Sequence, residues 1–229
     1  RYLFPFKPIS SFDANFQHMQ QSCTLGPLRN EKGEITDLFI AVHDMTETVN
    51  FEQKLIALNM IDALTGVQNR RSLETHLKKE VERHKRYGHP LSLIMFDLDY
   101  FKQVNDTYGH QCGDQVLQDF VKSVTELIRT DSDWLARYGG EEFLLVLPET
   151  ALDNAYRLAE RLRRQIAERQ FDWQGEKVSV TASFGLTGFD GERISETIAA
   201  DALLRCADEN LYRAKQDGRN RVFSSPFAP

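Results

Sequence analysis

The chain has 229 residues, 41 % of them hydrophobic, 10 % aromatic and 27 % charged, which is enough to bury a sizeable core and excludes a disordered, collagen-like or disulfide-scaffold chain. With 28 Lys and Arg against 34 Asp and Glu the net charge is −6. That argues against nucleic acid or an anionic membrane as a partner, and any polyanionic ligand must meet a local basic site. Cys23, Cys112 and Cys206 are odd in number and widely separated with no Cys-x-x-Cys spacing, which points to a reducing, cytoplasmic setting without a zinc or redox motif.

The longest apolar runs, Leu38 to Val42 and Phe143 to Leu147, are five residues each, far below the ~20 needed to cross a bilayer. Arg1 opens the chain without signal-peptide architecture, which reads as a piece of a longer protein whose upstream part could carry a membrane anchor. Phe16 to Leu25, a turn-rich stretch 29–34 and Ile35 to His43 read as a β-hairpin. The following Asp44-Met45-Thr46-Glu47 reads as a helix start. So few strands make no independent core. Residues 1–47 resemble the C-terminal strands of a PAS sensor domain, whose last strand runs into an Asp-x-Thr-Glu turn, and an upstream sensor domain is the expected partner. Residues 48–61 lack Pro and Gly, and Phe51, Leu55 and Leu58 form a helical stripe. It is either a signalling linker that pairs two chains or a helix lying on its own domain.

From residue 62 to about 223 helical and strand signals alternate. Leu73, Leu77 and Val81 mark a helix and Leu91 to Asp97 a strand ending in acid; Val116, Leu117, Phe120, Val121, Val124 and Leu127 mark a second helix. Trp134 to Tyr138 and Phe143 to Leu147 read as strands joined by Gly139-Gly140-Glu141-Glu142, hence a hairpin. Leu158, Leu162 and Ile166 mark a third helix, Val178 to Phe189 a long strand, Ala199 to Lys215 a fourth helix and Arg221 to Phe223 a last strand. This order predicts an α+β domain with helices flanking a mainly antiparallel central sheet, preceded by the short hairpin and linker helix.

If the strand ending at Asp97 neighbours the hairpin, then Asp97, Asp99, Glu141 and Glu142 converge at one sheet edge. Hard oxygen donors gathered this way suit Mg²⁺ together with a substrate's phosphates. For Asp97 taken alone a capping role is the plainer reading, and only the set of four favours a metal. Gly139-Gly140 allows close approach of a nucleotide to the backbone, or simply meets a tight turn's need for positive φ.

Arg137-Tyr138-Gly139-Gly140-Glu141-Glu142-Phe143 resembles the signature of GGDEF-domain diguanylate cyclases in its Glu variant. It stands in register with Asp62-Ala63-Leu64-Thr65-Gly66, Asn69-Arg70-Arg71, Phe96-Asp97-Leu98-Asp99-Tyr100-Phe101-Lys102, Asn105-Asp106, Gly109-His110 and Gly113-Asp114. Ala207-Asp208, Leu211-Tyr212-Arg213-Ala214-Lys215 and Gly218-Arg219-Asn220 complete the match, and residues 62–225 are taken as the cyclase domain. The resemblance implies a palm-like nucleotidyl cyclase fold. It also implies a homodimer that condenses two GTP into cyclic di-GMP and two pyrophosphates. By the same resemblance Asp97, the Leu98 carbonyl and Glu141 hold Mg²⁺, with Mn²⁺ able to replace it, and Glu142 activates the attacking hydroxyl, the two glutamates sharing catalytic duty. Asn105 and Asp114 would read guanine, whose N1–H and N2–H₂ donors one carboxylate can accept together. Lys102, Lys215 and Arg219 would meet the phosphates, for which the loop after Gly218 must fold back, with Phe101 as pocket wall and Gly139 and Gly140 beside the nucleotide. Without that context Asn105 in a turn and Asp114 before a helix would as readily be caps. His110 reads as a turn residue rather than a ligand, and Asp62, Asn69 and Arg70 as organisers of the entry to the first helix.

The chain departs from the family at the Arg-x-x-Asp product-inhibition site. Asp133 is in place, but Thr130 stands where Arg belongs and Arg129 is one residue off, which turns it about 100° on a helix or to the other face of a strand. Product inhibition is therefore expected to be weak or absent. The alternatives are a catalytically silent GTP-binding module that signals by dimerisation and a cyclase of another nucleotide, the latter opposed by Asp114.

Overall fold

The structure is a computed structural model that describes residues 19–58, 60–129, 131–191 and 200–227, the side chains of 53–58 excepted. The chain divides into two compact units, Arg1–Asn59 and Met60–Pro229. Among the described residues no helix is long and apolar enough to cross a membrane.

In the first unit β1 (Gln21–Arg29) and β2 (Ile35–Asp44) form an antiparallel hairpin, with Cys23 opposite Val42 and Leu25 opposite Ile40. Asn30 closes its turn by accepting from the backbone amides of Lys32 and Glu34. Leu25, Leu38, Phe39 and Ile40 are exposed, so both faces of the ribbon are apolar. Helix α1 (Thr46–Leu58) follows, its start fixed by Asp44 accepting from the Thr46 amide at 2.9 Å. Phe51 is exposed on it, whereas Leu55 and Leu58 of the predicted stripe lie outside the described side chains.

The second unit is an α+β layer structure around a six-stranded sheet of order β10-β9-β4-β6-β5-β3. In chain order its elements are β3 (Gln68–Asn69), α2 (Arg70–Tyr87), β4 (Leu91–Leu98), α3 (Phe101–Tyr108), α4 (His110–Thr125), β5 (Trp134–Gly139) and β6 (Glu142–Pro148). Then come α5 (Leu152–Glu168), β7 (Gln170–Trp173), β8 (Glu176–Ser179), β9 (Ala182–Phe189), α6 (Ala200–Gln216) and β10 (Val222–Ser224). Strand β4 is antiparallel to both β6 and β9, and β5 to β6. The edges β10 and β3 run parallel to their neighbours, so the sheet is mixed.

Strand β4 is buried along its whole length because helices cover both faces, which is why Leu93 to Phe96 are apolar on both faces rather than alternating. Ile94, Phe96 and Leu98 pack with α4 and α5, whereas Leu91, Leu93 and Met95 pack with α2 and α6. Phe96 anchors the first cluster, its ring 5.9 Å from Phe143 and 5.3 Å from Phe184; such pairs add about 0.5–1.5 kcal/mol beyond area burial. Strand parity then places Asp97 on the α2/α6 face with Met95, and Glu142 on that face with Leu144 and Val146.

Three elements differ from the sequence expectation. Residues 101–108 form α3, too short and polar for a stripe to show. The long strand predicted from Val178 breaks at Val180 and Thr181, where the Thr181 carbonyl accepts from the Asp99 amide at 2.8 Å, and Val178 belongs instead to a β7–β8 hairpin. A two-residue β3 adds a parallel edge beside β5.

Candidate active site

Asp97, next to last in β4, lies directly opposite Glu142 on β6 and Ser183 on β9, at the edge where the β5–β6 turn carries Glu141. The turn is tied to β4 by the Leu98 amide donating to the Glu141 carbonyl at 3.4 Å. From the end of α6, Lys215 Nζ reaches Asp97 Oδ2 at 2.9 Å. Burial pushes the Asp97 carboxyl up to about 6; Lys215 opposes this, and Glu141 and Glu142 add to it. Three carboxylates thus answer to one ammonium.

That negative excess of hard oxygens fits a divalent cation by donor type. Among the described residues no group of three or more His, Cys, Asp or Glu side chains could hold a metal alone. A cation here would therefore draw on a backbone carbonyl and on substrate phosphates, which is the habit of Mg²⁺. Asp99 leaves the expected set of four acids. It is buried, and its oxygens accept from Thr181 Oγ1 (2.7 Å), Ser183 Oγ (2.6 Å) and the Asn220 amide (3.0 Å).

The hairpin turn is braced from below. Arg137 on β5 donates to the Gly140 carbonyl at 2.8 Å and to Asp62 Oδ1 at 3.1 Å. Burial by itself would raise the Asp62 carboxyl, but hydrogen bonds from the Thr65 hydroxyl and amide, with Arg137, hold it below its usual range. Gly140 has φ +52, which answers the plain reading of the glycine pair, whereas Gly139 does not need positive φ and a methyl added to it would meet no atom within 4 Å. Asn69 caps α2, its Oδ1 accepting from the Ser72 amide at 3.0 Å, and the Arg70 guanidinium lies 4.4 Å over the Tyr138 ring. A groove of about 540 Å³ runs from Glu142 between α2 and α6 past Arg70, Met95, Tyr138 and Arg205. A larger cavity, about 920 Å³, lies along α5 and has none of the candidate residues in its wall.

Asn105 and Asp114 sit on adjoining helices rather than in caps. Asn105 is inside α3, and Asp114 lies a turn into α4, which begins at His110 after Gly109. They are brought together by Gly113: a methyl there would meet Asn105 Oδ1 at 2.0 Å and Phe101 Cζ at 3.0 Å. Phe101 is buried between the two helices, and Lys102 and Asp114 are exposed beside it. Gly113→Ala is therefore expected to fold, since alanine suits a helix and the Asn105 amide can swing aside. If Asn105 reads a guanine base, as the resemblance implies, losing that hydrogen bond should weaken guanine-nucleotide binding about tenfold, measured by titration calorimetry beside an unchanged melting temperature.

The loop after α6 does fold back. Gly218 has φ +110 and the Arg219 amide donates to the Ala214 carbonyl at 3.0 Å. The Arg219 guanidinium then lies 4.6 Å over the Tyr100 ring, with Nη1 3.3 Å from its hydroxyl. Lys215 and Arg219 are thereby aimed at the two sides of the β4–α3 loop.

Arg129 does not turn away from Asp133. Its Nη2 donates to Asp133 Oδ1 at 2.6 Å, its Nε to both carboxylate oxygens, and Nη2 also reaches Pro148 O and Thr150 Oγ1. The segment after α4 is irregular, so helix or strand periodicity gives no guide there. Thr130 lies outside the described residues.

Sequence reasoning misses Thr181 and Ser183. Their spacing of two at a strand start, which puts both on one face, is the signal that could have found them.

Comparison with known proteins bears on the same segment. A family model for "Diguanylate cyclase, GGDEF domain" matches residues 59–221. Diguanylate cyclase DgcP of Pseudomonas aeruginosa is 42 % identical over 163 residues, 71 % of this chain and 23 % of that protein. Response regulator PleD of Caulobacter vibrioides is 40 % identical over 169 residues, 73 % of this chain and 36 % of its own length. The chain thus spans well under half of these two relatives. Among solved structures, diguanylate cyclase SiaD of Pseudomonas aeruginosa in complex with its activator SiaC superposes with a TM-score of 0.67 at 38 % identity, covering 78 % of this chain and 67 % of that one.

Proposed function

Because the chain belongs to the family of GGDEF-domain diguanylate cyclases, we propose that it binds one GTP per protomer and, as a homodimer, joins two GTP into cyclic di-GMP with release of two pyrophosphates. The observation that carries this reading is the facing of Asp97 and Glu142 across β4 and β6 with Lys215 on the same carboxylate.

Each residue has a task in the chemistry. Asn105 and Asp114 take the guanine edge, with Phe101 as the wall behind it. Lys102, Lys215 and Arg219 offset the phosphate charge that an acidic chain must neutralise locally, while Gly139 and Gly140 let the backbone approach. Asp97, the Leu98 carbonyl and Glu141 would hold Mg²⁺, or Mn²⁺ in its place. Such a cation, when bound, neutralises phosphate oxygens and lowers the pKa of the attacking hydroxyl. Glu142 accepts the proton of the ribose 3′-hydroxyl as its oxygen bonds to the α-phosphorus of the facing GTP. The bond from that phosphorus to the β-phosphate oxygen breaks, and pyrophosphate leaves. One protomer holds only half of the reactants, so a monomer binds GTP without turning it over.

The N-terminal unit fits an input role within the same proposal. The apolar faces of β1–β2 suit the remaining sheet of a PAS-like sensor spanning 1–47, and 48–61 suits a linker that pairs two chains. A cytoplasmic location goes with GTP as substrate.

Pyrophosphate release from GTP and Mg²⁺ tests the reading. Specific activity should rise with chain concentration and level off, with one pyrophosphate per GTP consumed. No release at any concentration would favour the silent module. Added cyclic di-GMP is expected to leave the initial rate unchanged within about twofold, because the Arg129 guanidinium is committed to Asp133 and Thr150 rather than free to take a guanine edge bidentately.

A further inference from the structure

We propose that Asp99, which the reaction itself does not use, is a positioning residue that sets the aim of Arg219, one of the cations placed on the triphosphate. The inference rests on the functional reading above and adds the part that shapes its phosphate side.

Asp99 follows β4 and precedes Tyr100, and it joins three segments far apart in sequence. Its backbone amide donates to Thr181 O at 2.8 Å. One carboxylate oxygen accepts from Thr181 Oγ1 and the Asn220 amide, the other from Ser183 Oγ. These three donors come from the segment before β9, from β9 itself and from the turn after α6.

The backbone on both sides of this knot is held in an uncommon conformation. Tyr100, Arg219 and Asn220 have φ of 57°, 62° and 45°, the left-handed region that non-glycine residues enter only when their surroundings impose it. Two of the three flank Asp99 in space: Tyr100 is its chain neighbour and Asn220 donates to it. Arg219 stands between them, stacked on the Tyr100 ring. Arg163 Nη1, donating to Asn220 Oδ1 at 3.0 Å, braces the turn from α5. Asp99 therefore fixes both the platform and the backbone from which Arg219 projects. Tyr100, exposed on one side, also borders a cavity of about 400 Å³ lined by Val104, Tyr108, Val178 and Thr181. That is room for the ring to turn into once its anchor is gone, taking the guanidinium with it.

An acceptor role differs from a charge role. Asparagine keeps one acceptor for the Asn220 amide and can give its NH₂ to a Ser183 hydroxyl rotated to accept, so it should preserve the knot. Alanine leaves all three donors unanswered.

The test compares Mg²⁺-dependent binding of GTP and GMP to the full chain by calorimetry. Both share the base and differ in the β- and γ-phosphates. Asp99→Ala should weaken GTP about tenfold or more while GMP stays within about twofold, and Asp99→Asn should restore GTP to within about threefold. If Asp99→Ala fails to fold, the isosteric Thr181→Val removes one donor and should show the same GTP-selective loss at about threefold. An equal loss of GTP and GMP, unchanged GTP affinity, or an Asn variant as weak as Ala overturns the inference while leaving the cyclase reading intact. A wild-type chain that binds no GTP overturns the cyclase reading and this one with it.

Discussion

Glu142→Gln is expected to lower GTP turnover by about 10³-fold, the scale of losing a positioned proton acceptor, with GTP affinity held within about threefold. The side chain lies opposite Asp97 and away from the Asn105–Gly113 contact that prepares the base site, so binding and chemistry should separate. Glutamine has the same shape and removes one of the charges that push the Asp97 carboxyl up. The melting temperature should therefore not fall. Stopped turnover with intact binding would assign the loss to chemistry; loss of both would place Glu142 in substrate binding instead.

Gly185→Ala should give the largest stability effect. Gly185 sits in the middle of β9 where α6 crosses it, and a methyl there would come within 2.1 Å of Leu211 N, 2.3 Å of Ala207 O and 2.7 Å of Leu211 Cα. All three are backbone atoms, so relief requires α6 to move off the sheet. Overpacking of this kind costs about 3 kcal/mol or more, or a drop of roughly 10 °C in melting temperature for a unit of this size. Lys215 lies in the last turn of α6, one turn beyond Leu211, so its 2.9 Å pair with Asp97 is disturbed as well and turnover should fall with stability. Gly139→Ala is the control. It meets no atom within 4 Å and needs no positive φ. Unchanged stability there, with reduced activity, would report a nucleotide against the turn.

Much of the second unit was legible because its signals are local. The apolar stretch of β4, the Gly139-Gly140 turn and the stripes of α2, α4 and α5 each state their own element. Helix α3 was not legible, since eight residues offer Phe101, Val104 and Tyr108 and little else to mark a face. The break between β8 and β9 was hidden because the alternation of Val178, Val180, Ala182, Phe184 and Leu186 with polar or small residues runs straight through it, and the Asp99 amide that pairs there with the Thr181 carbonyl lies some 80 residues away in sequence. The same distance separates Asp99 from the hydroxyls that occupy it, so an acid beside Asp97 looked like a ligand when its oxygens were already engaged. Asp97, Glu142 and Lys215 could be picked out by type and motif, but their pairing is a property of strand register and of where α6 ends. Without the motif Asn105 and Asp114 read as caps because neither α3 nor the true start of α4 was visible, while the packing of Gly113, the neighbour of Asp114, against Asn105 is purely three-dimensional.

The most direct measurement is the mass of the product formed when the chain is incubated with GTP and Mg²⁺, beside Glu142→Gln. The account predicts cyclic di-GMP from the wild type and unconverted GTP from the variant. Guanosine diphosphate or monophosphate as the only product, or the same cyclic product from the variant, would contradict it.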